Sequence, residues 1–328
     1  MKLQNVGILG IGSALPGKIV TNADLEKIID TSDEWIRTRT GICERRVAED
    51  GVNTSDLAVS AARAALADAE TDVNDVDLII VATASPDAPL PATACYVQAK
   101  LGAPNAAAFD VAAGCTGFIY GLAVGSQFVQ TGAYRRVLVI GAEVLSRILD
   151  WSDRSTCVLF GDGAGAAVLG PREHAGLLSF KLGSDGTMGD VLAIPAGGVR
   201  LPACADTVEA RQHFVKMLSG NEVFKFAVKK MGEVTQLALD EAGLSKEDLD
   251  FLIPHQANRR IIEAARKRFD MPEDRVVVNI DRYGNMSSAS IPVAMEEAIR
   301  AGRMKRGDLT ALVGFGAGLT WGAAIMRY

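Results

Sequence analysis

The sequence has few aromatic residues and lacks any long apolar segment. Phe, Trp and Tyr make up 6% of its 328 residues, so small aliphatic side chains must fill much of the core, as in layered α/β proteins. No run of about 18 apolar residues occurs, which argues against a membrane span. The N-terminal apolar stretch is too short and too rich in glycine to be a signal peptide. A net charge of −6 argues against a general nucleic-acid-binding protein.

Cysteine is also scarce, and its spacing excludes two common kinds of site. The five cysteines are odd in number, widely separated and free of any CxxC pair. This pattern predicts reduced thiols in a cytoplasmic protein, without a disulfide framework or a zinc site. We therefore expect neither a metal nor an organic cofactor.

Apolar runs of strand and helix length alternate along the chain, which predicts βαβ units, an α/β class and mixed, mainly parallel sheets. Residues 33–41 are predicted to form a charged, exposed loop, and a loop of about 35 residues rich in Gly and Pro is expected after the strand near 177–182. The predicted strands are 3–14, 77–83, 106–111, 136–142, 166–169, 177–182, 250–254, 275–280, 309–313 and 319–327. The predicted helices are 56–69, 91–101, 115–130, 221–242, 259–269 and 288–301.

A glycine-rich motif occurs twice, once in each half of the chain. Gly161–Gly165 reads GDGAG and Gly314–Gly318 reads GFGAG, and each precedes an apolar strand. Such an echo indicates duplication. We expect two like halves, 1–172 and 173–328, packed face to face.

Cys115 lies where a predicted strand passes into a predicted helix. The strand 106–111 ends in Ala112, Ala113 and Gly114, and these small residues permit a tight turn and close approach of a substrate. The partial positive charge at a helix N-terminus favours thiolate over thiol. The segment is typical of a nucleophilic cysteine, and a buried structural cysteine is the alternative.

His255 and Asn285 also follow predicted strands. Ligands bind at the carboxyl ends of the strands in open α/β sheets. His255 comes directly after the strand 250–254, and Asn285 lies where a turn enters a helix. Either residue alone has an ordinary interpretation, a satisfied histidine or a helix N-cap. Three strand ends that present Cys, His and Asn predict a shared site.

A site of Cys, His and Asn admits two kinds of enzyme. One is a cysteine protease with the histidine as base, but Gly-Cys-Thr-Gly is not the protease signature and a duplicated α/β sheet is the wrong setting. The other is acyl transfer to the cysteine, followed by formation of a carbon–carbon bond.

Six motifs, in this order and spacing over essentially the whole chain, identify a resemblance to the β-ketoacyl-acyl-carrier-protein synthase III family. They are SDEWIRTRTGI, AAGCTGF, GDGAGA, PHQAN, GNMSSAS and GFGAGLTWGAA. The resemblance implies a thiolase-like fold of five layers, αβαβα, in a homodimer. It also implies the initiating condensation of bacterial fatty-acid synthesis.

The resemblance assigns a role to each residue of the predicted site. Cys115 would attack an acyl-CoA primer and hold the acyl group, with an oxyanion hole from the backbone N–H groups of Cys115, Gly316 and Ala317. His255 and Asn285 would donate hydrogen bonds to the thioester oxygen of malonyl-acyl-carrier-protein as carbon dioxide leaves. Neutral donors suit charge that exists only near the transition state.

The resemblance also implies residues that bind the substrates. Phe315, and Leu90 from across the dimer, would shape the primer pocket. Trp35 and Arg154 would enclose the adenine of coenzyme A. Basic residues on two predicted helices would dock the acidic carrier protein, or form a solvated helix face. The implied coenzyme A contacts are Trp35, Arg39, Arg154, Asn221, Phe224, Ala257 and Asn258. The implied docking residues are Lys225, Arg259, Arg260, Lys267 and Arg268.

Three residues depart from the family pattern. Met286 stands where Thr is common, Ala317 where a third Gly is common, and Leu90 where Phe shapes the primer pocket. The smaller side chain at 90 leaves room for primers other than acetyl-CoA. Two alternatives therefore stay open: a sister condensing enzyme for longer acyl-CoA primers, including those of secondary metabolism, and a non-catalytic module that binds acyl-CoA or carrier protein.

Overall fold

A computed structural model describes residues 3–174 and 176–328. Met1 and Lys2, in the predicted first half, and Ala175, in the predicted second half, lie outside the described residues. Within these limits, no helix is both long and apolar enough to cross a membrane. All five cysteines have free thiols.

Strands are found throughout the chain, and most coincide with the predicted apolar runs. They are β1 (Val6–Ala14), β2 (Lys18–Thr21), β3 (Glu44–Val47), β4 (Leu78–Ala82), β5 (Ala107–Val111), β6 (Val137–Glu143), β7 (Gly163–Pro171), β8 (Leu177–Ser184), β9 (Leu192–Ala193), β10 (Lys216–Met217), β11 (Phe251–Pro254), β12 (Leu309–Gly316) and β13 (Thr320–Arg327).

The helices connect these strands and cover the sheets. They are α1 (Asn22–Leu25), α2 (Asp33–Thr40), α3 (Thr54–Asp68), α4 (Thr93–Leu101), α5 (Gly117–Gln130), α6 (Arg154–Cys157), α7 (Ala205–Glu209), α8 (Gly220–Ala242), α9 (Arg259–Arg268), α10 (Ile280–Tyr283) and α11 (Ser290–Arg300).

Two mixed sheets form the frame. The first has the order β1-β7-β6-β4-β5, in which β4 pairs in parallel with β5 and β6, and β7 runs antiparallel to β1 and β6. The second has the order β11-β12-β13-β8, with a parallel β11–β12 pair. Strands β12, β13 and β8 pair antiparallel. Cys115 follows the carboxyl end of β5, His255 follows that of β11, and Gly316 ends β12. Ligands bind at such strand ends in open α/β sheets.

Helices and sheets alternate in five layers. α3 and α4 cover the outer face of the first sheet, α5 and α11 lie between the two sheets, and α8 and α9 cover the outer face of the second. The α/β class and the layered architecture expected from the sequence are confirmed. The first sheet ends at Pro171 and the second begins at Leu177; the division into duplicated halves at residue 172 stays a prediction.

Small residues permit unusually close packing in the first outer layer. The inward face of α3 consists largely of alanine, and Ala58, Ala61, Ala62 and Ala65 are fully buried. This face lies so close to β1 that a Cβ at Gly12 would clash with the backbone of Ala65. Alanine and glycine thus replace the aromatic volume that the composition lacks.

The predicted loop at 33–41 is wrong, because these residues form α2. Ser32 accepts a hydrogen bond from the backbone N–H of Trp35 and caps the helix at 3.1 Å. Acidic residues occupy the first turn and arginines the last, and Gly41 ends the helix with φ of +83°. These are the ordinary start and stop signals of a helix.

The predicted strand at 275–280 is also wrong. Only Val276 forms a bridge, to Leu252. The buried amide of Gln256 donates to the Val277 carbonyl at 3.1 Å and accepts from the Asn279 N–H at 3.0 Å. A side chain thus satisfies backbone groups that a neighbouring strand would otherwise pair.

The long segment after β8 contains short elements that the sequence did not predict. Strands β9 and β10 pair with each other as a two-stranded ribbon, with Met217 paired to Leu192. Helix α7 lies between these two strands in the sequence. The ribbon brings Leu192 and Met217 to the cavity described below.

Candidate active site

Cys115 lies in a tight 3-10 turn, Gly114–Thr116, between β5 and α5. Gly114 has φ of +51°, and a Cβ there would stand 2.9 Å from the backbone nitrogen of Ala317. The hydroxyl of Thr116 donates to Thr320 Oγ1 at 2.8 Å. The turn that carries the cysteine is therefore anchored to the β12–β13 connection of the second sheet.

His255 follows β11 and is fully buried. Its backbone N–H donates to the Val313 carbonyl of β12 at 2.8 Å. Its ring meets Phe315 edge to face, with centroids 5.7 Å apart. Neither ring nitrogen has a hydrogen-bond partner in the described part of the chain. Buried polar atoms are normally paired, so the free ring nitrogens indicate that this imidazole forms hydrogen bonds with a bound ligand.

Asn285 is held by its own backbone and by its side-chain oxygen. Its N–H donates to the Leu159 carbonyl at 2.8 Å, and its carbonyl accepts from the Gly161 N–H at 3.0 Å. The side-chain oxygen accepts from the Ser287 N–H at 2.8 Å. Because a backbone N–H can only donate, this bond fixes which end of the amide is oxygen. The Asn285 NH₂ group remains as a donor toward the cavity.

These three side chains meet at one cavity of about 200 Å³. Cys115, His255 and Asn285 all line it, and most of the remaining lining is apolar. Its other members are Arg39, Thr40, Leu159, Phe160, Leu192, Met217, Gly220, Val223, Phe224, Ala257, Asn258, Ile261, Phe315, Gly316 and Leu319. The three residues therefore converge as predicted, but only Cys115 and His255 follow strands, whereas Asn285 follows helix α10.

A second cavity, of about 290 Å³, also reaches Cys115. Apolar side chains dominate it, including Leu145, Ile148, Ile194 and Val215. Cys115 thus stands between two spaces, one shared with His255 and Asn285 and one that is mainly hydrophobic. Two adjoining cavities can hold two substrate portions next to one sulfur atom.

Burial dominates the electrostatics of the sulfur. Burial, together with the nearby Glu143 carboxylate, raises the pKa of the Cys115 thiol to about 12. A helix N-terminus contributes only about 0.3–1 kcal/mol, whereas each pKa unit corresponds to about 1.4 kcal/mol. The expected helix-end effect is therefore too small to produce a resting thiolate.

Burial has the opposite consequence for the imidazole. It lowers the pKa of His255 to about 3, with desolvation as the cause. The ring is consequently neutral at pH 7 and offers one N–H donor and one acceptor nitrogen. Neutral His255 and the neutral Asn285 amide thus present donors to the same cavity.

The backbone around the sulfur is packed closely. A Cβ at Gly316 would stand 2.5 Å from the backbone nitrogen of Cys115. Gly114 meets the nitrogen of Ala317, as described above. The predicted oxyanion-hole residues Cys115, Gly316 and Ala317 therefore lie at one corner of the site, and no side chain larger than hydrogen fits at 316.

The residues predicted to bind coenzyme A are spread from the cavity to the surface. Arg39, Phe224, Ala257 and Asn258 line the cavity with the three polar residues. Asn258 also caps α9, with Oδ1 accepting from the Arg260 N–H at 2.9 Å, and its NH₂ donates to the Arg39 carbonyl at 2.9 Å.

Trp35, Arg154 and Asn221 lie outside that cavity lining. The guanidinium carbons of Arg39 and Arg154 lie 4.7 and 4.9 Å from the Trp35 ring centroid. These are direct cation–π contacts, so an adenine between Trp35 and Arg154 would require Arg154 to move away. Asn221 is exposed in the first turn of α8.

The two predicted primer-pocket residues occupy different surroundings. Phe315 is buried and lines the cavity shared with His255. Leu90 is 86% exposed and lines neither cavity that reaches Cys115. Its expected contribution, across a dimer, requires a second copy of the chain.

The basic helices carry counter-ions that the sequence analysis did not assign. Arg259 pairs with Glu273 at 3.0 Å, and Lys267 lies 3.7 Å from Glu263. The other predicted docking cations, Lys225, Arg260 and Arg268, have no ion-pair partner within the described residues. The Arg260 guanidinium lies 5.1 Å from the ring centroid of Phe224, which lines the cavity.

One buried group escaped the sequence analysis. Glu143, at the end of β6, is fully buried. Its carboxylate accepts from Ser85 Oγ at 2.6 Å, Ser288 Oγ at 2.9 Å and the Ala84 N–H at 3.0 Å. It thus joins the segment after β4 to the segment that carries Asn285. An acidic residue at the end of an otherwise apolar strand was the available signal.

Comparison with known proteins identifies the family. Family models for 3-oxoacyl-(acyl-carrier-protein) synthase III and its C-terminal part match residues 109–186 and 239–328. A β-ketoacyl-(acyl-carrier-protein) synthase III from Caldanaerobacter subterraneus subsp. tengcongensis is 59% identical, over 98% of this chain and 97% of that protein.

Solved structures agree with this assignment. The β-ketoacyl-(acyl-carrier-protein) synthase III of Thermus thermophilus has a TM-score of 0.91 at 50% identity, covering 98% of this chain and 99% of its own. The priming β-ketosynthase of the R1128 polyketide biosynthetic pathway has a TM-score of 0.91 at 36% identity, covering 99% of this chain and 97% of its own. The resemblance inferred from the motifs is confirmed. The chain belongs to the 3-oxoacyl-(acyl-carrier-protein) synthase III family of condensing acyltransferases.

Proposed function

We propose that the protein condenses an acyl-CoA primer with malonyl-acyl-carrier-protein, releasing carbon dioxide and forming 3-oxoacyl-acyl-carrier-protein. The observation that carries the proposal is one buried thiol that shares a cavity with two neutral hydrogen-bond donors, His255 and Asn285. The 59% identity to a synthase III supports the initiation of fatty-acid synthesis over the polyketide role of the 36% identical relative.

The first step is transfer of the acyl group to Cys115. The sulfur forms a bond to the thioester carbon, and the bond from that carbon to the sulfur of coenzyme A breaks. Coenzyme A leaves as its thiol, with the proton that Cys115 has lost. Because burial disfavours a free thiolate, the proton must leave the sulfur as the new bond forms. The acceptor nitrogen of neutral His255 can assist. Backbone N–H groups of Cys115, Gly316 and Ala317 would stabilise the oxyanion.

The second step is decarboxylation and carbon–carbon bond formation. Loss of carbon dioxide from the malonyl group moves an electron pair toward the thioester oxygen, where the His255 and Asn285 donors would stabilise it. The enolate carbon then attacks the acyl carbon on Cys115, and the sulfur leaves and takes up one proton, supplied by solvent, to restore the thiol. Two fixed neutral donors suit this transient charge, and the sequence of steps requires neither a metal nor an organic cofactor.

Carrier-protein docking is proposed for the surface around Lys225, Arg260 and Arg268. Lys225 and Arg260 are exposed at the start of α8 and α9, and Arg260 covers Phe224 beside the cavity. A positive rim at this place would raise the encounter rate of an acidic carrier protein. Arg259 and Lys267 contribute less, since each has an acidic neighbour.

A homodimer is proposed from two features, one in the first sheet and one in the segment between β4 and α4. β5, which precedes the nucleophile, is an edge strand, and unpaired edge strands tend to pair with other chains. Leu90 is highly exposed for a leucine. A second copy along β5 would cover this region and bring its own Leu90 toward the primer side of the site.

Intact-mass measurement with acyl-CoA tests the first step. An acyl adduct on Cys115 is expected in the wild type and in Cys204→Ala, a control that removes an exposed thiol. The adduct should be absent in Cys115→Ala. If no primer of any chain length leaves an adduct, the non-catalytic binding module is the better account.

The hydrophobic cavity beside Cys115 is also compatible with the alternative function, a sister condensing enzyme that uses longer acyl-CoA primers. Its volume of about 290 Å³ exceeds what an acetyl group needs, so primers longer than acetyl-CoA should also acylate the enzyme. A panel of primers of rising length, each followed by malonyl-acyl-carrier-protein, distinguishes the two roles. Preference for short primers supports fatty-acid initiation, and preference for long ones supports the sister enzyme.

A further inference from the structure

Ser287 combines three properties that are rare in one residue. Its backbone is left-handed, with φ of +46°, a conformation that non-glycine residues seldom adopt. Its side chain is buried, with 3% of its surface exposed. Its hydroxyl has no hydrogen-bond partner of normal geometry among the described residues. Each property carries a free-energy cost, and buried hydroxyls are normally paired.

The neighbours of Ser287 hold it in this conformation from both sides. Its own N–H is bound by Asn285 Oδ1 at 2.8 Å. On the other side, Ser288 Oγ lies 2.7 Å from the Ala82 carbonyl and 2.9 Å from Glu143 Oε1. Strained residues persist where the surroundings over-determine them, and they are concentrated at functional sites.

The unpaired hydroxyl lies beside the nucleophile. Ser287 and Cys115 both line the hydrophobic cavity of about 290 Å³. Most of the other side chains there are aliphatic. The buried Glu143 carboxylate is a competing acceptor for the hydroxyl, since Ser287 also lowers the pKa of Glu143. The strained backbone therefore places a hydrogen-bond donor in a cavity that reaches Cys115, whereas His255 and Asn285 line the other cavity that reaches it.

We propose that Ser287 is a further catalytic residue, whose hydroxyl donates a hydrogen bond to the Cys115 sulfur whenever that sulfur carries negative charge. The inference rests on the proposed function. The sulfur is anionic in character twice, as it attacks the primer and as it leaves after condensation. Ser287 keeps its proton throughout, so no bond other than this hydrogen bond forms or breaks at its oxygen.

The charged groups around the sulfur give this donor its importance. Glu143, at the end of β6, raises the pKa of Cys115, whereas Ser287 lowers it. His255, from the end of β11, is neutral at pH 7 because burial lowers its pKa to about 3. Arg39, from α2, lines the cavity shared with His255 and Asn285 and is exposed. Ser287 thus opposes burial and the Glu143 charge from close range.

Alkylation of Cys115 by iodoacetamide across pH, followed by peptide mass spectrometry, tests the proposal. A hydrogen bond to a charged group is worth more than tenfold in the thiolate fraction, and the higher nucleophilicity of a more basic thiolate offsets about half of that gain. We expect Ser287→Ala to slow Cys115 alkylation by about three- to tenfold at any pH below the thiol pKa. Acyl transfer from acyl-CoA should slow in parallel.

Two further variants separate the hydroxyl from the backbone. Ser287→Gly adopts a positive φ without strain and should show the same slowing, even if Ser287→Ala folds poorly. Ser126→Ala removes a buried serine hydroxyl on α5 that bonds the Ala123 carbonyl and should alkylate at the wild-type rate. Wild-type alkylation rates in both Ser287 variants would overturn the proposal. Because alkylation needs no acyl-CoA, this result is independent of whether an acyl-enzyme forms.

Discussion

At the scale of single residues, burial sets the protonation state of the site. It keeps Cys115 a thiol and His255 a neutral imidazole, with pKa values of about 12 and about 3. A charged pair of Cys and His is therefore not the resting state. Both half-reactions instead rely on donors that are in place before charge develops, which is the efficient use of a hydrogen bond in catalysis.

Asn285 and Cys115 should affect different half-reactions. Asn285→Ala removes a donor to the malonyl thioester oxygen, and loss of one such donor costs about 10²–10³ in rate. Decarboxylation of malonyl-acyl-carrier-protein should fall by that factor, with acyl transfer to Cys115 much less affected. Cys115→Ala should show the converse, losing acyl transfer and retaining decarboxylation. Equal loss of both half-reactions in Asn285→Ala would contradict these roles.

His255 should make the folded state sensitive to acid. Its pKa is about 3 in the folded protein against about 6.5 in an unfolded chain, so the unfolded state binds an extra proton between these values. This contribution to stability is present above about pH 6.5 and is lost as pH falls toward 3, at up to about 1.4 kcal/mol per pH unit. Urea unfolding between pH 7 and 5 should show a steeper loss for the wild type than for His255→Gln. Parallel pH dependences would mean that the imidazole is not buried as a neutral group.

The sequence could predict Cys115 and His255 because each follows an apolar strand, and strand ends meet at one edge of a sheet. Asn285 was predicted from the apolar run at 275–280, which is not a strand, and it follows helix α10 instead. The sequence could not predict the roles of Glu143 and Ser287, because these roles depend on tertiary contacts. The burial of Glu143 depends on hydroxyl groups from Ser85 and Ser288, far apart in sequence. The left-handed backbone of Ser287 depends on its neighbours' tertiary contacts. An acidic residue at the end of an apolar strand marks Glu143 as unusual, but no local pattern encodes its partners or the backbone conformation of Ser287.

At the scale of elements, the strongly periodic segments were predictable and the short irregular ones were not. The long helices α3, α5 and α8 correspond to predicted helices. Helix α2 was missed although Ser32 and Gly41 supply its cap signals, because its charged residues resemble a loop. The apolar run at 275–280 resembles a strand, yet the Gln256 side chain takes the place of a partner strand there.

Close packing of α3 on β1 should make Gly12 intolerant of a side chain. Gly12→Ala places a Cβ against the backbone of Ala65, and overpacking of this kind costs about 1–3 kcal/mol. Chemical denaturation should show that loss in the free energy of unfolding. Gly186→Ala is the matched control, since a Cβ there meets nothing within 4 Å. A Gly12→Ala protein as stable as the control would show that α3 and β1 pack less tightly than described.

At the scale of the whole molecule, two sheets enclose the helix that follows the nucleophile. α5 packs on both sheets. Cys115, in the turn that precedes α5, lies against Gly316 of β12 in the second sheet. The site therefore exists only when both sheets are assembled around the buried layer. This arrangement explains why sequence motifs from both halves of the chain are needed to recognise it.

The exposed edge β5 provides a test of assembly. Ala107→Lys puts a charge on that edge, at an exposed position, and should weaken self-association measured by sedimentation velocity. Leu182→Lys on β8, the edge strand of the second sheet, is the matched control and should leave association unchanged. A wild-type protein that sediments as a monomer at micromolar concentration would contradict the proposed homodimer.

The central claim is that one sulfur atom holds the primer while His255 and Asn285 promote decarboxylation beside it. A single-turnover chase tests it directly: enzyme acylated by acyl-CoA is purified and mixed with malonyl-acyl-carrier-protein, and mass spectrometry follows both proteins. The account predicts that the acyl mass on the Cys115 peptide disappears as an equal amount of 3-oxoacyl-acyl-carrier-protein appears. An acyl group that remains on Cys115 while carbon dioxide is released, or a 3-oxo product formed by Cys115→Ala, would contradict it.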